Sequence, residues 1–159
     1  MRNFNLGKIL FPVVVITAIL ISIVMYISFN KVIYLPEFKL ESIKSDSFAG
    51  GIDECVIEGD TIFVSGWAVD PRDTSDMYRA NNYAIIKVGD DFFKLRPTRS
   101  VRTDVSSFFK KTGSFDYTGF EAKGKLSFNP ITTDKKISKT IYLVSDNGIV
   151  LKGISHECK

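Results

Sequence analysis

The chain has 159 residues, 45% of them hydrophobic and 25% charged, with a net charge of +3. That composition excludes a disordered chain, and once one long apolar run is set aside roughly 130 residues remain, enough for one domain. A single histidine and two cysteines exclude multi-histidine metal sites, four-cysteine zinc sites and iron–sulfur ligation.

Ile9 to Asn30 carries no charge. As a helix it spans about 33 Å, enough to cross a hydrocarbon core of roughly 30 Å. Pro12 is expected in the first turn, where its missing N–H is not needed. A cleaved signal peptide has a shorter apolar region and an Ala-x-Ala exit. Here the exit reads Tyr26-Ile-Ser-Phe-Asn-Lys31, so we read residues 9–30 as an uncleaved transmembrane anchor. The flank before it, residues 1–8, holds Arg2 and Lys8, while all 18 acidic residues follow the run. The short basic tail is therefore expected on the cytoplasmic side. The rest of the chain is expected outside, in the periplasm of a bacterial inner-membrane protein, although a Gram-positive surface stays open. Of the net charge, +2 belongs to the tail, which removes the argument for nucleic-acid binding.

Residues 31–49 mix apolar and charged types without a clean period and read as a stalk. Tyr26 and Tyr34 are placed near the outer membrane interface as amphipathic anchors. After Gly50-Gly51 come short runs rich in Val, Ile, Phe and Tyr, separated by Gly, Asp and Asn. Strands are expected at about 52–58, 61–69 (central, because it is apolar on both faces), 83–88, 91–96 (ended by Pro97), 119–128 (broken at Gly124), 139–144 and 149–154. Gly59-Asp60, Gly89-Asp90 and Asn147-Gly148 are the turns, the last being the strongest hairpin signal. Val101–Lys111 carries one helical turn, with Val101, Val105 and Phe108 in register. Seven strands so spaced predict an all-β domain over residues 50–159, a single antiparallel, immunoglobulin-like β-sandwich behind one transmembrane helix.

Cys55 and Cys158 both lie on the predicted outer side, where thiols oxidise. A bond between them closes a loop of about 104 residues, worth roughly 4–5 kcal/mol in the chain-entropy model. Free or intermolecular thiols are the alternative.

Three spaced motifs carry a resemblance: Val64-Ser-Gly66-Trp67-Ala-Val-Asp70, then Val101-Arg102-Thr-Asp104-Val105, then Tyr117-Thr-Gly119-Phe120. Together they resemble small bacterial β-sandwich modules with an SGWA-x-D … R-x-D-V … GF pattern, found appended to membrane-bound or exported enzymes of surface-polysaccharide and envelope metabolism. The resemblance covers about 100 residues and implies a non-catalytic accessory domain. Gly66, Asp70, Asp104, Gly119 and Phe120 are then framework residues.

Individual side chains leave choices open. Trp67 is either a core residue of a central strand, favoured by its apolar neighbours, or a sugar-stacking platform. Arg102 either fixes its loop by pairing with Asp70 or backbone carbonyls, or binds an anion. Lys94, Arg96, Arg99, Arg102, Lys110 and Lys111 form a basic stretch, read either as a solvated edge or as a surface for headgroups, phosphorylated glycans or an acidic partner. Asp70, Asp73 and Asp76 share a loop, but their spacing does not match a calcium loop. His156 lacks any Gly-x-Ser-x-Gly partner, and none of the acids stands out as a glycosidase pair.

No catalytic residue, metal or cofactor is assigned. The expected function is a membrane-anchored accessory protein that recognises a partner protein or an envelope glycan, with Trp67, Arg96, Arg99 and Arg102 as the expected contact residues. The alternative is a small envelope enzyme or inhibitor acting on glycans through carboxylates.

Overall fold

A computed structural model describes residues 6–73, 78–111 and 113–158. The chain divides into two compact units, residues 1–30 and 31–159. The first contains helix α1 (Leu6–Asn30), long and apolar enough to cross a membrane, a property anchors and signal sequences share. Three of its polar side chains bond back to carbonyls one turn earlier. Thr17 Oγ1 donates to the Val13 carbonyl at 2.8 Å, Ser22 Oγ to Ala18 at 2.9 Å, and Asn30 Nδ2 to Tyr26 at 2.8 Å. The helix starts three residues before the uncharged run, so Pro12 falls in its second turn rather than its first. There the carbonyl of Lys8 loses its helical donor.

The second unit is a β-sandwich of two sheets. Its strands are β1 (Ile33–Tyr34), β2 (Ile43–Lys44), β3 (Ala49–Glu58), β4 (Thr61–Val69), β5 (Asn81–Val88), β6 (Asp91–Lys94), β7 (Arg96–Ser100), β8 (Gly119–Lys125), β9 (Ile137–Asp146) and β10 (Leu151–Glu157). One sheet has the order β3-β4-β8-β7, the other β1-β6-β5-β9-β10-β2. All pairings are antiparallel except β2 with β10. Ile62, Val64 and Ala68 of β4 meet Ala84, Ile86, Ile141 and Leu143 in the buried layer between the sheets. β4 occupies the interior of its sheet and covers 61–69, as its two apolar faces predict.

Ten strands replace the expected seven, for physical reasons visible in the chain. Expected strand 91–96 is not ended by Pro97. The chain changes sheets at the fully buried Leu95, whose N–H bonds the Ala84 carbonyl at 2.9 Å. β7 then forms an edge strand, where a proline without an N–H is tolerated. Gly124 does not break β8. A Cβ there would lie 2.6 Å from Val32 and 2.7 Å from Leu95, so the glycine makes room for both.

The segment expected to be a stalk belongs to the domain. Val32 is 1% exposed, its carbonyl takes a hydrogen bond from Asn129 Nδ2, and Lys31 bridges to Lys125. β1 then pairs with β6 at one edge of the six-stranded sheet, and β2 pairs with β10 at the other. Between them residues 35–42 cross the sheet's outer face. Leu35, Phe38 and Ile43 cover Tyr83, Ile85 and Val144 there, with the Phe38 and Phe92 rings 5.2 Å apart. The nine residue steps from Tyr34 to Ile43 reach about 30 Å, and five strand spacings need about 24 Å. Tyr34 is thus a domain residue, with its hydroxyl on Asp91 at 3.2 Å and its ring 5.4 Å from Phe93.

The Cys55–Cys158 disulfide is formed, with Cα atoms 5.2 Å apart. It ties β3 of one sheet to the chain after β10 of the other. Cys158 is buried, and its N–H bonds the Lys139 carbonyl at 2.9 Å.

Candidate functional site

β8 runs for about 20 Å, with Lys31 bridged to its last residue and the 101–118 connection leading into its first. That connection, which holds helix α2 (Thr103–Phe108), therefore lies at the end of the sandwich remote from Lys31. Asp70 to Asp73, Tyr78 to Ala80 and the β9–β10 turn gather at the same end, where Lys152 of β10 binds the Asp70 carboxylate.

Here the four-stranded sheet carries a second apolar layer on its outer face. Val69, Tyr78, Ala80, Val105 and Phe115 are buried together, with Trp67 and Phe109 packed against them. Trp67 alternates with the inward residues of β4, so it faces outward. It is half-buried, with its ring edge-on to Phe109 at 6.1 Å. It belongs neither to the layer between the sheets nor to a bare stacking platform.

The motif residues form a brace over this layer. β3 carries a bulge between Ile52 and Glu54, which frees Asp53 from strict pairing. Arg102 forks onto both oxygens of Asp104, at 2.9 and 2.8 Å, and its remaining nitrogen binds Asp53. Its partner is thus not Asp70, which pairs instead with Lys152 and Arg72. Gly119 is required because a Cβ would sit 2.5 Å from the Arg102 stem, and Gly66 because a Cβ would sit 2.2 Å from the Gly51 carbonyl. Phe120 is buried between the sheets.

The brace sets the local charges. The Arg102 hydrogen bonds hold the Asp104 carboxyl below the usual range and raise the guanidinium's own pKa. Burial works to raise Asp70, but the Lys152 and Arg72 contacts outweigh it and leave its pKa lowered. Tyr78 donates or accepts at Ser145 Oγ, 2.7 Å away, and accepts from the Asp70 N–H at 3.1 Å. Burial raises its hydroxyl pKa.

The basic stretch is not one surface. Lys94 lies 3.6 Å over the Tyr83 ring on the six-stranded sheet. Lys111 is spent on the Pro71 and Asp73 carbonyls and the Phe115 ring. Lys110 is exposed beside an open hollow of about 450 Å³ shared with Thr103, Ser107 and Asp116. Arg96 stands exposed opposite Lys123 on the open face. Arg99 alternates to the other face of β7 and enters a cleft.

That cleft, about 100 Å³, is lined by Ala80, Asn82, Pro97, Arg99, Tyr117 and Phe120. Asn82 is 7% exposed, and its Nδ2 donates to the carbonyls of Ala68, at 2.7 Å, and Thr118, at 2.5 Å, joining the two sheets. Its Oδ1 is the one buried side-chain polar atom, among the described residues, without a hydrogen-bond partner. The sequence singled out Arg99 as a contact residue, named Tyr117 only as part of a motif, and passed over Asn82. Asn82 meets carbonyls 14 and 36 residues away, a proximity no local pattern encodes.

Large apolar side chains also stand in solvent at this end: Ile149 at 89%, Phe108 at 76%, Val101 at 61% and Tyr117 at 44% exposure. His156 is exposed on β10. Among the described residues no three His, Cys, Asp or Glu side chains converge as a metal site. Asp76, one of the three loop carboxylates, lies outside the described residues. No protein-family model, curated protein or solved structure matches this chain.

Proposed function

We propose that this is a single-pass, membrane-anchored accessory protein of the bacterial envelope that binds without catalysing. Its sandwich lies on the periplasmic side and recognises a partner protein or an envelope glycan, within a surface-polysaccharide system of the kind its motifs resemble. The observation that carries this reading is the end of the domain remote from Lys31. Phe108, Val101 and Ile149 there expose large apolar side chains to solvent, and Tyr117 does so at the mouth of the Arg99 cleft; exposed apolar surface of this kind marks recognition surfaces. The alternative, a carboxylate enzyme acting on glycans, needs one acid held protonated near neutral pH. The described aspartates whose pKa departs clearly from the ordinary value, Asp60, Asp70, Asp91 and Asp104, are all lowered.

The test is co-purification of the full chain from its native membrane in mild detergent, with mass spectrometry of what accompanies it. A stoichiometric envelope protein or glycan that is lost in the Phe108→Ser variant supports the reading. Recovery of the chain alone, by wild type and variant equally, refutes it.

A further inference from the structure

We infer that the Asn82–Arg99–Tyr117 cleft is a subsite for the carboxylate-bearing side group of an acidic sugar. The inference rests on the glycan arm of the function proposed above.

Arg99 and Tyr117 carry this chemistry, against an inner wall that Asn82 sets. Asn82 Oδ1 is a buried acceptor without a donor, and rotating the amide does not cure it, since Nδ2 already serves two carbonyls at 2.7 and 2.5 Å. The atom is closed to solvent and a carboxylate brings no donor, so Asn82 sets the inner wall of the cleft by joining the two sheets and is not a binding group. Arg99 has no carboxylate partner among the described residues, and its one hydrogen bond, to the Ala80 carbonyl, is long at 3.5 Å. Arg72 and Arg102 are by contrast ion-paired. A guanidinium left open this way matches a carboxylate in a two-point fork. Tyr117, 44% exposed, and Pro97 give flat apolar flanks to the mouth, suited to the C–H face of a pyranose.

Size decides what enters. About 100 Å³ holds three or four water volumes at about 30 Å³ each, which suits a substituent and not a ring. The ring then rests outside, on Tyr117. A peptide C-terminus, another carrier of a carboxylate, fits less well. It gains affinity by adding a strand to a free edge or by capture in a nest of backbone amides, and the adjoining edge strand β7 is interrupted by Pro97, which has no N–H.

The experiment is calorimetric titration of the purified full chain in detergent with glucuronate and N-acetylneuraminate. Glucose and N-acetylglucosamine serve as neutral controls, and N-acetyl-glycylglycine as the peptide arm. The expected result is weak binding of the acidic sugars, with the neutral sugars about tenfold weaker or undetectable. Arg99→Ala removes about tenfold of the affinity, and Arg99→Lys restores only part of it because the fork is gone. Tyr117→Ala weakens binding independently. Both side chains are exposed, so unchanged melting of the variants is expected and excludes misfolding. Acidic sugars binding no better than neutral ones, or equally well to Arg99→Ala, overturn the subsite. Preference for the peptide overturns the sugar as occupant. Capture of an envelope partner that depends on Phe108, together with no acidic-sugar binding, ends the subsite and leaves the binding function standing.

Discussion

Removing the disulfide by the double substitution Cys55→Ala and Cys158→Ala is expected to lower the melting point of the domain by about 17 °C. The bridge closes a loop with a sequence separation of 103 residues. Its loss returns roughly 16 cal/mol/K of chain entropy to the unfolded state, about 4.7 kcal/mol at 25 °C. The compact unit from Lys31 to Lys159 has an unfolding entropy of about 0.27 kcal/mol/K at about 2.1 cal/mol/K per residue, and the quotient is the shift. The 5.2 Å Cα separation is an ordinary disulfide distance, so no backbone displacement is released to offset the loss. The assay is thermal unfolding of the full chain in detergent, followed by circular dichroism in the strand region, with reductant on wild type as a second route to the same state. A shift below about 5 °C by both routes would refute the entropic account. A reducible dimer on a non-reducing gel would refute the intramolecular pairing.

Val32→Ala is expected to cost about 2 kcal/mol, from two buried methyl groups and the gap left above Gly124; a segment that merely spaced the domain from a membrane would tolerate it unchanged in a denaturant titration. Gly66→Ala places a Cβ 2.2 Å from the Gly51 carbonyl and is expected to cost about 3 kcal/mol or more, read as loss of the folded fraction in urea. Asp70 and Asp104 have folded pKa values depressed below the ordinary 3.8. Their contribution is therefore present above about pH 4 and lost as pH falls through the depressed values. Asp70→Asn is expected to flatten stability against pH below pH 4 and to lower the plateau above it; an unchanged slope would count against the Lys152–Asp70 link.

What the chain discloses about its fold follows the reach of each signal. β4 was legible because its alternating and doubly apolar run needs no other part of the chain, and the turns at Gly59 and Gly89 show because both glycines take positive φ, 59° and 62°. β1 and β2 are two residues each, too short for a period of two to register, and they exist only because partner strands lie beside them. Trp67 shows the limit on the site. Apolar residues on both faces of β4 announce that both faces are covered, but not that the outer cover is Tyr78 and Ala80 with Phe109 and Phe115. Arg99 could be picked out as a charge on an edge; Asn82 could not be picked out as an orphan, because its two acceptors come from other strands and loops.

The crossing of residues 31–44 over the six-stranded sheet also fixes an order in time. Tyr34 pairs with Phe93, and Ile43 with Leu151, so the first part of the domain to be synthesised waits for nearly the last. Until residues 151–157 exist, Leu35, Phe38 and Ile43 have only part of the surface they cover. Pairings this distant in sequence fold slowly, and apolar segments held open meanwhile are exposed to wrong associations. Cys158, synthesised after β10, then ties that sheet to Cys55 of the other. Closing the six-stranded sheet therefore waits for β10, and a chain halted before residue 151 would hold β2 without the strand it pairs with.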